Sequence, residues 1–231
     1  IEKKSNKLEF KINYPENDLV DHLIRTIEVQ DDVPNNIFCT LQIHVKEDCE
    51  LPIGLHPMFR IPKKMSKIKI NPGNFKFGLN YPGLVLKDKT LGAIGREFSS
   101  LDKVDGFDGN TIDLSQPPFD GNFEDLFQLC GIDGNMSLEN FEENYKFNFS
   151  WNPNHFTSVL MWVSNKGRTE YPWNSNHVTI GFEPITSAFG LSTHVSLNKN
   201  NPISKRNVAT SLKLYKNKPL FTDYSFSISA L

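Results

Sequence analysis

Apolar side chains recur at every second position through much of the chain, the period of a strand with one buried face and one wet face. Residues 36–46 show it best: Ile37, Cys39, Leu41, Ile43 and Val45 share one face, while Phe38, Thr40, Gln42, His44 and Lys46 share the other. The same alternation predicts strands over 8–14 and 22–29, separated by the turn-forming PEND at 15–18. It returns at 67–70, 123–129, 136–138 and 145–151, and it predicts 208–215 and 220–228 as a closing antiparallel pair joined at 216–219. Residues 157–163, TSVLMWV, form an unbroken apolar run, which predicts a central strand covered on both faces, with Trp162 expected in the core and a binding role as its alternative. No segment sustains a 3.6-residue period, so the predicted class is all-β. Residues 71–118 are rich in Gly, Pro, Asp and Asn and read as long loops with short strands, and loops of that length often border a site.

Two stretches depart from plain alternation in the same way. In LPIGLHPMFRIP, residues 51–62, Leu51, Ile53 and Leu55 fall on one face and Pro52, Gly54 and His56 on the other. In 178–183, Val178, Ile180 and Phe182 oppose Thr179, Gly181 and Glu183. Each puts a glycine two residues before a titratable side chain on the same face, with a proline, Pro57 or Pro184, directly after. Proline withdraws a backbone donor, so each stretch predicts a strand that stops beside open space. A histidine and a glutamate at such mouths suit general acid–base chemistry near neutral pH.

Charge narrows the field. The chain has 25 Lys and Arg against 27 Asp and Glu, a formal net charge of −2, and no block of one sign, which removes the electrostatic basis for binding nucleic acid or an anionic membrane. No stretch approaches the apolar length of a membrane span. Lys63, Lys64, Lys67 and Lys69 read as a solvated strand edge. Cys39, Cys49 and Cys130 are odd in number and lack metal-ligand spacing, so a reducing, cytoplasmic compartment is expected without a metal site, and no nucleotide-binding loop is seen that would call for a cofactor. His44, on the polar face of its strand, reads as solvated or hydrogen-bonded.

Taken in order, LPIGLHPMFRIP, FEDLFQL at 123–129, LMWVSNKGRTEYPW at 160–173 and IGFEPITSAFG at 180–190 resemble the successive motifs of the aldose 1-epimerase (galactose mutarotase-like) superfamily. The resemblance covers most of the chain. It implies one domain over residues 1–231, an all-β galactose mutarotase-like supersandwich of large antiparallel sheets whose concave face binds a monosaccharide. It also implies an isomerase in which Glu183 takes the proton of the anomeric hydroxyl and His56 protonates the ring oxygen, so that the ring opens and recloses with the opposite configuration. A hydroxyl-binding carboxylate is implied in the FEDLF segment, either Glu124 or Asp125. Arg60 and Arg168 are candidate cationic contacts or ordinary surface ion pairs, and the lack of a basic cluster favours a neutral hexose. Members usually carry, before the part matched, further strands with a sugar-binding arginine and a second histidine, and His22 and His44 lie too far into the matched strands to replace it. The expectation is either a fragment or a shortened homologue, with a non-catalytic carbohydrate-binding or regulatory protein as the competing function. His56 and Glu183 are expected to converge on one pocket about one sugar width apart.

Overall fold

The computed structural model describes residues 1–3, 5–61 and 67–231. The early alternation forms β1 (Glu2–Lys3), β2 (Lys7–Asn13), β3 (Val20–Glu28) and β4 (Asn36–Val45). Short strands follow: β5 (Cys49–Leu51), β6 (Ile53–Gly54), β7 (Met58–Arg60), β8 (Ile68–Asn71), β9 (Phe77–Asn80), β10 (Glu97–Phe98), β11 (Val104–Asp105) and β12 (Thr111–Ile112). Longer ones return as β13 (Phe123–Cys130), β14 (Asn135–Asn140), β15 (Tyr145–Trp151), β16 (Ser158–Asn165) and β17 (Val178–Thr186). A five-residue helix, α1 (Thr193–Leu197), precedes β18 (Leu212–Leu214) and β19 (Leu220–Ala230). Nearly all of this is the all-β, large-sheet architecture the alternation predicts.

Two sheets carry the fold. The first runs β1-β2-β3-β4-β19-β15-β14-β8, and the second runs β10-β9-β13-β16-β17-β6, with β7 also paired to β17. Between them lies one apolar core in which Leu41 and Ile43 of β4 and Phe149 of β15 share a cluster with Phe127, Met161 and Phe182 of the second sheet. Phe59 on β7 bridges the two layers, 5.0 Å from the ring of Phe147 and 5.2 Å from that of Phe182. Burying such rings is the main driving force for closing the sandwich. Lys69 is exposed on β8, an end strand of the first sheet, where a charge discourages edge-to-edge pairing; Lys63 and Lys64 lie outside the described residues.

One predicted pairing is corrected. Strand β18 pairs with β5, not with β19. The turn at 216–219 is present, with Tyr215 bridging Lys218, but beyond it the chain diverges: β19 enters the first sheet against β4 and β15, while β18 turns to the edge of β5. Among the described residues, no helix is long and apolar enough to cross a membrane, and Cys39, Cys49 and Cys130 are free thiols.

Register in the second sheet decides which side chains share a face. Leu126 opposes Trp162, Trp162 opposes Gly181, and Leu160 opposes Glu183, which puts all of them on the face turned away from the first sheet. Their neighbours Phe127, Met161 and Phe182 point the other way, into the core. One end of the outer face is covered by a second apolar cluster, in which Ile203 and Val208 pack with Leu160 and Ile185. The rest is left open.

Candidate active site

That open part is a cavity of about 320 Å³, floored by Glu124 and Leu126 of β13, Leu160 and Trp162 of β16, and Glu183 of β17, and rimmed by His56, Val85 and Arg168. Val85 comes from the long 71–118 loop region, so that region does border the site. A larger cleft of about 560 Å³ lies elsewhere, beside β8; size does not pick out the chemistry here.

His56 and Glu183 meet in this cavity. Nδ1 of His56 lies 2.9 Å from Oε2 of Glu183, with the imidazole side chain 66% exposed and the carboxylate side chain 11% exposed. The expected gap of a sugar width is thus not present: the two groups touch. The His56 strand does end, at Gly54, but pairing with β17 resumes in β7, and β17 itself runs on through Pro184 to Thr186. Leu55 N–H donates to the Pro184 carbonyl, Phe182 N–H donates to the Pro57 carbonyl, and Met58 opposes Gly181, so the 53–60 segment follows β17 along its whole length. Pro184 sits inside β17, with its missing donor on the side of this interrupted edge segment, where a lost ladder bond costs least.

The two glycines before these groups act differently from one another. A Cβ on Gly181 would stand 2.6 Å from Glu183 Oε1, so this glycine makes room for the carboxylate; a Cβ on Gly54 would meet Ile185 Cγ2 at 2.8 Å and not the imidazole. Burial pushes the Glu183 carboxyl above the ordinary glutamate range, and the adjacent His56 pulls it back in part. The result is a more basic carboxylate whose partner imidazole reaches solvent.

Glu124 and Asp125 separate by strand parity. Glu124 is on the cavity floor, fully buried, and accepts from Trp162 Nε1 at 3.0 Å and from Arg168 Nε at 2.6 and 2.8 Å. Asp125 points to the opposite side, where its carboxylate accepts the backbone N–H groups of Leu91 and Gly92, both at 2.9 Å. Burial raises the Asp125 carboxyl, and those N–H groups oppose the rise.

Trp162, expected in the core, is the one residue of β16 that is not fully buried. Its ring lies 6.2 Å from His56 in a stacked arrangement, and Arg168 lies over it at 5.6 Å and over Trp173 at 4.8 Å. The alternation Leu160, Trp162, Ser164 contained this placement, masked by the apolar run around it. His177, which sequence reasoning passed over, extends the row, with Nδ1 3.0 Å from Ser164 Oγ and its ring 5.6 Å from Trp162. The other candidates lie elsewhere: Arg60 pairs with Glu143, and His22 stacks on His44 at 4.1 Å across β3 and β4. No cluster of three or more His, Cys, Asp and Glu side chains suited to a metal ion occurs among the described residues.

Solved structures share this arrangement of sheets. A protein of Escherichia coli K12, provisionally assigned as an aldose 1-epimerase, has a TM-score of 0.67 at 12% identity, covering 100% of this chain and 68% of its own. The fold is the galactose mutarotase-like fold. A galactose mutarotase-like protein from Lactobacillus casei ATCC 334 has a TM-score of 0.59 at 11% identity, over 99% of this chain and 72% of its own. Another, from Clostridium acetobutylicum, has a TM-score of 0.57 at 15% identity, over 97% and 62%. The chain spans about two thirds of the length of such structures. No family model matches its sequence, nor does any curated protein.

Proposed function

We propose that this cavity interconverts the anomers of a monosaccharide, the reaction of an aldose 1-epimerase-like isomerase. The observation that carries the reading is the His56–Glu183 pair, 2.9 Å apart on the floor and rim of one cavity beside an indole face. In the forward step the Glu183 carboxylate takes the proton of the anomeric hydroxyl, whose electrons form the C1 carbonyl. The bond from C1 to the ring oxygen breaks, and His56 gives its proton to that oxygen. The open chain turns about C1–C2, and the same two groups, with roles reversed, close the ring on the other face. Burial suits Glu183 to the base role by raising its affinity for a proton, and the His56 ring, held by Glu183 but largely exposed, must turn away from it to admit the sugar between the two groups. Trp162, with Leu126 and Leu160, offers an apolar platform for the C–H face of a pyranose.

The test is exchange NMR on a panel of aldoses. Glu183→Gln and His56→Asn should each slow anomer exchange by at least ~10²-fold while the protein stays folded; full activity in either variant refutes the assignment. A second reading, sugar binding without turnover, is favoured by the fact that the two groups already hold each other. It predicts saturable sugar binding with exchange no faster than in buffer.

A further inference from the structure

We infer that Arg168, rather than the carboxylate beneath it, reads the sugar's hydroxyls, and that Glu124 neutralises Arg168 so that the site takes an uncharged sugar. This deepens the proposed function and rests on it.

Glu124 is placed to receive and not to reach out. Its side chain is wholly buried, and its oxygens are taken by Arg168 Nε, by Arg168 Nη2 at 2.5 Å and by the Trp162 indole N–H. A sugar hydroxyl could contact it only by displacing that clamp. Arg168 is the reverse case. Its side chain is 31% exposed on the cavity rim. A guanidinium has five N–H donors, and Glu124 engages only Nε and Nη2, so Nη1 is left without a protein partner among the described residues. The fork is held by its Glu124 bonds and lies over the rings of both Trp173 and Trp162, so few rotamers are lost when it grips a ligand. Donors held in a fixed plane at a cavity rim are suited to hydroxyl oxygens.

Charge sets the class of sugar. Glu124 and Arg168 cancel, and the remaining fixed charge facing the cavity is Glu183, with His56 able to balance it when protonated. Val85, Leu126, Leu160 and Trp162 supply none. A phosphate or carboxylate on the sugar would find no uncompensated cation among the described residues that line the cavity and would face Glu183.

The experiment uses the chain described, with glucose, glucose 6-phosphate and glucuronate as probes, read by tryptophan fluorescence titration and by exchange NMR. The wild-type protein should prefer glucose. Arg168→Met should weaken glucose binding, and raise KM, by about tenfold or more with kcat changed much less, since it removes uniform binding; Arg168→Lys, which keeps the charge, should fall between. Glu124→Gln removes the neutralising charge while keeping the shape, and should shift the glucose 6-phosphate to glucose affinity ratio at least tenfold towards the anion. Unchanged glucose binding in a folded Arg168→Met, or a wild-type preference for either anionic sugar, overturns the inference alone. A wild-type protein that neither binds nor interconverts any of the three overturns the sugar reading and this inference together. A merely structural Arg168 would lower the melting temperature without moving the affinity ratio, which also counts against it.

Discussion

Gly181→Ala isolates the placement of the carboxylate from its chemistry. The new Cβ would stand 2.6 Å from Glu183 Oε1 and 3.2 Å from Met58 Sδ, where ordinary contact begins at 3.4 Å. The carboxylate must therefore retreat by at least 0.8 Å (3.4 − 2.6). A misplacement of about 1 Å in a reacting group costs ~10²-fold in rate, so anomer exchange should fall by about 10- to 100-fold. Stability should hardly change. The close atoms all belong to the flexible side chains of Glu183 and Met58, the backbone at this position is not left-handed, and the alanine removes about 0.4–1 kcal/mol of unfolded-chain freedom. The assay pairs exchange NMR with a thermal melt. An unchanged rate in a protein shown to carry the alanine would refute the reasoning, and so would a collapse in melting temperature.

Three further outcomes follow from the same geometry. Because burial raises the Glu183 carboxyl above its ordinary value of 4.5, the acid limb of the rate profile should set in at a higher pH than an ordinary glutamate would give; a limb at or below that value counts against Glu183 as base. The folded chain then binds this proton more tightly than the unfolded chain, so stability falls as pH rises through that window, and Glu183→Gln should melt higher than wild type at pH 7, with the gap closing in acid; equal melts across that range would contradict the burial argument. Asp125→Ala removes the acceptor of the part-buried Leu91 and buried Gly92 N–H groups, and should cost about 2–3 kcal/mol in chemical denaturation with exchange per folded molecule unaltered; loss of exchange in the folded variant would place Asp125 in the site.

Most of the large sheets was legible because one-sided burial writes a period of two into the chain. β4 and β17 are the plain cases, and both glycine–titratable–proline stretches did lead to one cavity. What the sequence hid was pairing. Proline reads locally as a stop, yet Pro57 and Pro184 lie in segments that keep their partners, because each missing donor falls where the ladder is already interrupted. Contact between His56 and Glu183 follows from that continuity, so it was out of reach of a local reading. Trp162 was hidden differently: on a strand buried on both faces, polarity no longer marks which side holds a cavity. Parity alone separates Glu124 from Asp125, and a one-residue shift in β13 would exchange their roles.

The position of β19 governs how this molecule can be assembled during synthesis. It lies between β4 and β15 in the first sheet, so among the described residues it is what joins the ladder of β1–β4 to the β15-β14-β8 group, and that link waits until residues 220–230 have left the ribosome. The second sheet, drawn wholly from residues 53 to 186, is available earlier, but its inner face must wait for a complete layer to pack against. Closure of the sandwich is therefore a late, long-range event, with the slow kinetics that such contacts impose. Clipping the 220–230 segment should do more than shorten an edge: it would divide the first sheet in two and leave a growing chain with two unpaired strands facing each other across an apolar gap.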